Sequence, residues 1–199
     1  MVTCSRLIKS MLGSVLFLIA LFSLSGCGDS QSVDSNVALA QMTPVAPSTK
    51  ENDKQFLVRA VEMKYEQILL GKLGQQRSGI EEIRTLAKML EDANREAKSS
   101  LASLGIVKSI SVPSAPTQLA IDSYDKLNEA TIEEFDFAYI NHIIQTHNDA
   151  INLFENAAHG NFDKDIQAKA LAMIPDMRNY LSKAMEINSH LNPMSELVK

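Results

Sequence analysis

Four polar side chains interrupt apolar stripes of helical spacing, one on each of four predicted helices: Gln67, Asn94, His147 and Tyr180. A residue three or four positions from apolar neighbours on either side shares their helix face, so all four are predicted to point inward. At a rise of about 1.5 Å per residue, Asn94 and His147 fall at one level and Gln67 and Tyr180 at another, roughly 8 to 10 Å away. The sequence therefore predicts a buried polar cluster arranged in two hydrogen-bonded layers.

Polar residues gathered between helices can also hold a metal ion. Di-iron proteins of the ferritin-like kind use one Glu from each of two helices and a Glu-x-x-His spacing on each of the other two. Here the residues three positions before the four histidines are Tyr139, Ile144, Asn156 and Ile187. One imidazole among amides and a phenol also lacks the charged ligands that divalent cations favour. We therefore predict no metal and no cofactor, and interpret His147 as a hydrogen-bonded core residue, with ligand or proton binding and metal ligation as alternatives.

The methionines offer a softer chemistry. Met173 and Met177, together with His147, could bind cuprous copper, which prefers thioether ligands. Methionine on an apolar stripe more often fills gaps in a core, and that is the interpretation we favour. The sequence contains no Gly-rich phosphate loop, nucleophile elbow or His-Glu-x-x-His motif, so no catalytic residue is predicted.

The elements that must position these residues are helices. From Asp53 onward apolar residues recur every three or four positions, and no strand-like alternation occurs between strong segments. Asp53 is predicted to cap the first helix, Thr131 and Glu134 have the spacing of a capping box, and Pro175 predicts a bend in the last helix. The predicted helices cover residues 53–78, 80–105, 118–128, 131–158 and 163–187.

The lengths of the connections favour one arrangement of the four long helices. The first and second are joined by a short link, as are the two that follow residue 131, so each pair is predicted to be antiparallel. Residues 106–130, which include Pro113 and Pro116, are long enough to cross the length of a bundle. The predicted fold is all-α, a four-helix bundle with one long crossover connection of the ferritin-like kind. A three-helix bundle with a separate arm is the alternative.

The beginning of the chain has the layout of a secretory signal. Arg6 and Lys9 precede an apolar stretch over residues 12–22, and Leu-Ser-Gly-Cys ends at Cys27. That ending resembles the lipobox of bacterial lipoproteins, in which the cysteine receives lipid. We predict a lipoprotein signal peptide over residues 1–26, a lipidated Cys27 with a flexible tether over 27–52, a helical domain over 53–191 and a C-terminal tail over 192–199. An uncleaved membrane anchor is the alternative.

Charge and cysteine content follow from that processing. Cys4 would be discarded and Cys27 acylated, so the mature protein would hold no free thiol for a disulfide or a thiolate ligand. Loss of Arg6 and Lys9 sets 17 basic against 24 acidic residues, a formal net charge of −7. A phosphate backbone requires a basic stripe, so nucleic acid is excluded as a partner. Gly28 after the cysteine indicates the outer membrane, by the sorting pattern of enteric bacteria.

Several short motifs together resemble a known family. The residues that carry the resemblance are Phe56, Ala60, Leu70-Gly71-Lys72-Leu73, Phe135-Asp136-Phe137-Ala138-Tyr139, His147, Leu153-Phe154, Pro175 and Arg178. Over about Asp53 to Leu191 the chain resembles the domain-of-unknown-function 4142 family of exported bacterial proteins. The resemblance implies a ferritin-like four-helix domain, with no established activity or substrate. It also implies an acid at the position of Gln67 and histidines at those of Ala93, His147 and Tyr180, of which only His147 is present.

We therefore expect a membrane-anchored lipoprotein of the periplasm or envelope, held at the outer membrane through Cys27 and facing the periplasm. Its helical bundle is expected to be a non-catalytic binding or accessory module, whose partner is an unknown envelope protein or small ligand. The alternative is a metal-binding or redox protein of ferritin-like descent. A domain that assembles with itself is a third class, and the sequence leaves the oligomeric state open.

Overall fold

The computed structural model describes residues 48–191, and within that range the regular structure is entirely helical. The all-α prediction is confirmed for these residues. The predicted signal peptide, Cys27, the tether up to residue 47 and the C-terminal tail lie outside the described residues. No helix within the described range is long and apolar enough to cross a membrane. The elements are α1 (Thr49–Arg77), α2 (Glu81–Val107), α3 (Gln118–Asn128), α4 (Ile132–His159) and α5 (Lys164–Leu191).

The first helix begins earlier than predicted. Ser48 caps it, because its Oγ accepts a hydrogen bond from the backbone N–H of Glu51 at 3.3 Å. Residues 49–52 are therefore helical, and the predicted tether ends before them. Asp53 is buried one turn further on, where its Oδ1 accepts from the backbone N–H of Asp163 at 2.9 Å. Ser48 and Asp53 both suit an N-cap position. Asp53 instead binds the backbone of Asp163, just before the start of α5, so Ser48 caps α1.

The corner between α4 and α5 lies against the beginning of α1. Thr49 Oγ1 donates to Asn161 Oδ1 at 3.0 Å, and Asn52 Nδ2 donates to the Asn161 carbonyl at 3.0 Å. Together with the Asp53 bond, these contacts hold the first turns of α1 at the end of the molecule where α4 ends and α5 begins.

Helices α1 and α2 pack closely and are antiparallel, because only residues 78–80 join them. The close approach is made possible by glycine. A Cβ at Gly71 would lie 2.9 Å from the Ala87 carbonyl oxygen, and one at Gly74 would lie 2.5 Å from the Tyr139 ring. Helices α4 and α5 form the second close pair, α1 also contacts α4, and α2 contacts α5.

The connection between α2 and α4 contains the short helix that the sequence predicted over 118–128. It packs mainly on α1. Arg77, the last residue of α1, donates to the carbonyls of Leu127, Asn128 and Ala130, and so fastens the end of α3 to the end of α1. Thr131 precedes α4 as predicted, but its Oγ1 donates to Glu134 Oε2 at 3.1 Å and caps no backbone group.

The core consists of two apolar clusters with a gap between them. One cluster contains Phe56, Leu57 and Phe154, and the other contains Leu73 and Tyr139. Along each long helix the members of one cluster give way to the members of the other. The stretches between the buried members of the two clusters are residues 64–69 on α1, 91–100 on α2, 144–149 on α4 and 178–183 on α5. The polar cluster predicted from the sequence falls in this gap.

Candidate functional site

A small cavity of about 60 Å³ lies in the gap between the two apolar clusters. All four long helices line it. Its walls are Lys64 and Gln67 from α1, Ala93, Asn94 and Ala97 from α2, His147 from α4, and Met173, Asp176, Met177 and Tyr180 from α5. The innermost residues are buried, whereas the alanines of α2 and the outer residues of α5 are partly or fully exposed. The cavity therefore reaches towards solvent between α2 and α5.

All four residues of the predicted cluster line this one cavity. Gln67, Asn94 and His147 are 2%, 4% and 1% exposed, and Tyr180 is half-buried at the outer side. The prediction of two separate layers was wrong. Helical side chains lean towards the N-terminus of their own helix, and α1 and α5 run opposite to α2 and α4. Gln67 and Tyr180 therefore lean towards Asn94 and His147, so the four side chains lie closer together than their positions along the helix axes indicate.

The predicted hydrogen bonds between these residues are also not observed among the described residues. Asn94 Nδ2 donates to the Leu90 carbonyl of its own helix at 2.8 Å. The His147 and Tyr180 rings meet edge to face, with centroids 6.4 Å apart. Each polar group thus enters the cavity from a separate helix without closing a network, which leaves hydrogen-bonding capacity in the cavity unused.

His147 is held as a neutral imidazole. Its Nδ1 lies 2.8 Å from the Ile143 carbonyl, which can only accept, so Nδ1 carries the proton and Nε2 is left as an acceptor. Burial lowers the pKa of His147 to about 4; the Ile143 hydrogen bond opposes that shift and the nearby Lys64 charge adds to it. At neutral pH the ring therefore presents a lone pair and no charge.

Lys64 is the buried charged residue of the cavity that the sequence analysis missed. Its side chain is 2% exposed, and its Nζ lies 3.4 Å from Gln67 Oε1 and 3.9 Å from Met177 Sδ. The ammonium also lies 5.4 Å from the centroid of the Phe154 ring. Burial lowers the pKa of Lys64 to about 8. A signal was present, because Lys64 follows the buried Ala60 by four positions and precedes Gln67 by three, which places it on the inward face.

Gln67 presents an unused donor. Because the Lys64 ammonium can only donate, Gln67 Oε1 must face it, and Gln67 Nε2 then points elsewhere. That nitrogen is buried and has no hydrogen-bond partner among the described residues. An unsatisfied buried amide costs about 1 to 3 kcal/mol, so a water molecule or ligand that accepts from it would be stabilising.

The donor set does not fit the di-iron centre of ferritin-like proteins. Such a centre needs four carboxylates and two histidines, whereas the cavity offers Asp176 at its exposed edge and His147. Among the described residues no three His, Asp, Glu or Cys side chains are grouped so as to hold a metal ion. The buried Lys64 ammonium would also repel a divalent cation. The softer set of Met173, Met177 and His147 does share the cavity.

The remaining histidines lie outside the cavity. His142 is paired with Glu66 of α1 at 3.3 Å, and this contact lowers the pKa of Glu66 against the opposing effect of burial. His159 and His190 are exposed at the ends of α4 and α5. None of the three contributes to the polar cluster.

The chain is similar to one family of proteins and to one solved structure described below. A family model described as "Domain of unknown function (DUF4142)" matches residues 38–187. A solved structure, the crystal structure of a DUF305 fragment from Deinococcus radiodurans, is similar with a TM-score of 0.62 at 13% sequence identity. The similarity covers 72% of this chain and 99% of that one, and it concerns the fold alone. No curated protein matches the chain.

The matched range includes every residue that lines the cavity. The positions at which the resemblance implies an acid and three histidines are Gln67, Ala93, His147 and Tyr180, and all four line the cavity. Since the family model covers about three quarters of the sequence, the chain belongs to the DUF4142 family of proteins.

Proposed function

We propose that this protein is a lipid-anchored envelope lipoprotein whose helical domain is a non-catalytic binding module. Acylation of Cys27 holds it at the outer membrane, facing the periplasm. We interpret the four long helices as a ferritin-like bundle with one long crossover, in which residues 108–131 travel between α2 and α4. The ligand site of the module is the cavity between the two apolar clusters.

The observation that carries this proposal is the unused donor of Gln67 beside the buried ammonium of Lys64. Both groups have lost water, and no side chain of residues 48–191 accepts from Gln67 Nε2. A group that accepts from both would recover the lost hydrogen bonds, which favours retention of a ligand. His147, neutral above pH 4, adds an acceptor and is poorly suited to proton transfer at neutral pH.

Native mass spectrometry of the purified full-length protein tests whether the cavity holds a ligand. We expect a bound species at 1:1 stoichiometry that is lost when Gln67 is replaced by Leu. Replacement of Gln75, a half-buried glutamine two turns further along α1, by Leu is the control and should retain the species. A Gln67→Leu protein that retains the same bound species would contradict the cavity as the ligand site.

Membrane attachment is tested separately. Replacement of Cys27 by Ser should abolish both the incorporation of a labelled fatty acid and the removal of residues 1–26, because serine offers no thiol for the lipid on which that processing depends. Cys4→Ser is the matched control and should leave both unchanged, because Cys4 lies in the segment predicted to be removed. Absence of label from both the wild-type protein and Cys4→Ser, with residues 1–26 retained in both, would instead support an uncleaved anchor.

The alternative is a metal-binding protein that uses soft ligands. It is favoured by the presence of Met173, Met177 and the free Nε2 of His147 in one cavity. On this alternative, cuprous or silver ion should bind the purified protein, and Met177→Leu should weaken that binding. Met185, which is exposed on the same helix, provides the control substitution.

A further inference from the structure

We propose that the cavity binds one small monovalent anion, held between the Lys64 ammonium and the Gln67 amide N–H groups. This inference rests on the proposed function, since it names the ligand class of the same cavity. It follows from three properties of the site: its donors, its charge and its size.

The donors are in excess over the acceptors that they meet. Lys64 carries three N–H groups, of which one is directed at Gln67 Oε1 and one makes a long contact with Met177 Sδ. Gln67 Nε2 carries two more, and neither meets an acceptor among the described residues. One Lys64 N–H and two Gln67 N–H groups are thus left for a ligand that accepts. A small anion accepts from several donors at once.

The charge of Lys64 is not balanced. No carboxylate of the described residues lies within 4.0 Å of its Nζ, and burial alone accounts for its lowered pKa. The cavity residues of α2 are uncharged, α4 contributes the neutral His147, and α5 contributes Tyr180 and the exposed Asp176. A buried cation is stable when it is paired, so an anion beside Lys64 would recover much of the desolvation cost.

The size of the cavity restricts the anion. The space open to the centre of a water-sized sphere is only about 60 Å³, which is enough for a few water molecules or one small ion. Chloride, nitrite, formate and nitrate fit such a space, whereas a sugar, a nucleotide or a peptide does not. One ammonium favours one negative charge, which selects a monovalent ion over a divalent one such as sulfate.

Thermal unfolding of the purified full-length protein tests the proposal. Sodium chloride, formate and nitrate are compared with sodium gluconate at constant ionic strength, because gluconate is too large to enter. We expect the small anions to raise Tm in a saturable way and gluconate to have no such effect. Lys64→Met and Gln67→Leu should each weaken the apparent affinity roughly tenfold or more, since each removes buried donors.

Two comparisons make the result decisive. Lys72→Met, at an exposed lysine of the same helix, should keep the wild-type rise in Tm with small anions. General effects of salt on solvation act equally on Lys64→Met and Lys72→Met, so a difference between them reports binding at the cavity. Bromide soaked into crystals of the wild-type protein should give an anomalous peak between Lys64 and Gln67. The proposal is overturned if Lys64→Met keeps the response or if saturating bromide leaves the cavity without a peak.

Thermal unfolding in the presence of cuprous ion distinguishes a failure of the anion proposal from a failure of the proposed binding module. If cuprous ion raises Tm and small anions do not, the anion is the wrong ligand and the binding module stands. If neither acts and native mass spectrometry finds no bound species, the binding module itself is wrong.

Discussion

The boundary between α1 and α2 and the boundary between α2 and α5 are built in opposite ways, although small residues line both. At the first, Gly71 and Gly74 let the helices approach until a single carbon added at either position would lie less than 3 Å from Ala87 of α2, and one at Gly74 would also meet the Tyr139 ring of α4. At the second, Ala93 and Ala97 face the cavity. Small residues therefore accompany close packing between α1 and α2, which residues 78–80 join, and an open cavity between α2 and α5, which are not joined by a short connection.

The largest expected effect comes from crowding the closed boundary. Replacement of Gly74 by Val places three carbons where even the first lies 2.5 Å from the fully buried Tyr139 ring. We expect a loss of about 3 to 4 kcal/mol in the free energy of unfolding, measured by urea denaturation. Gly79→Val, where the nearest atom to the added carbon is 3.6 Å away, is the control. Equal losses in the two variants would show that Gly74 is packed no more tightly than Gly79.

Removal of the buried charge at the open boundary should stabilise the protein. Lys64→Met should raise the free energy of unfolding by about 2 kcal/mol at pH 7 in gluconate buffer, because the desolvation cost that it removes exceeds the loss of the hydrogen bond to Gln67 Oε1. The folded pKa of about 8 lies below the ordinary value of 10.5. Wild-type stability should therefore rise between pH 8 and 10.5, where the unfolded chain still holds the proton.

The Lys64→Met protein should lack that rise in stability, and Lys72→Met should retain it. Denaturation curves at intervals across this pH range measure both slopes. A Lys64→Met protein that is less stable than wild type at pH 7 would mean that the ammonium is already compensated.

The neutral imidazole at the open boundary predicts acid sensitivity. The folded pKa of His147 is about 4 and its ordinary value is 6.5, so the unfolded chain takes up the proton first as pH falls. Between pH 6.5 and 5 this should cost about 2 kcal/mol of stability. His147→Asn, whose amide can still donate to the Ile143 carbonyl, should lose that part of the pH dependence. His159→Asn, at an exposed position, should keep it.

The smallest effect should come from adding volume at the open boundary. Ala97 lines the cavity and is only partly buried, so Ala97→Leu has space to occupy and should change the free energy of unfolding by less than about 1 kcal/mol. It should also reduce anion binding by filling the approach. A loss of unfolding free energy as large as that of Gly74→Val would show that α2 and α5 pack as closely as α1 and α2.

Much of the fold could be predicted because apolar periodicity and breaking residues act locally. Residues 118–128 were predicted with their ends, whereas the start of α1 was misplaced because Ser48 and Asp53 both suit an N-cap. Asp53 instead contacts Asp163, which lies 110 positions away in the sequence. Such a contact depends on how two distant helix ends meet, so it cannot be predicted from the residues adjacent to Asp53 in the sequence.

The site could be predicted only in part, for a similar reason. Gln67, Asn94 and His147 were identified because a polar residue on an apolar stripe is unusual. Lys64 occupies the same stripe and was overlooked, because lysine usually extends its ammonium to solvent. Whether that extension is possible depends on neighbouring helices, here on Phe154 and Met177, which enclose the side chain. The meeting of all the polar groups in one cavity likewise depends on the directions of the helices.

The hydrogen bonds that fasten the first turns of α1 have a mechanical consequence. A pull on the chain ahead of Ser48 would be borne first by the bonds of Thr49 and Asn52 to Asn161 and by the Asp53–Asp163 bond. Lys64 lies fifteen residues beyond Thr49 along the helix, or about 22 Å. Tension would therefore unwind the first turns of α1 before it reached the residues of the proposed ligand site.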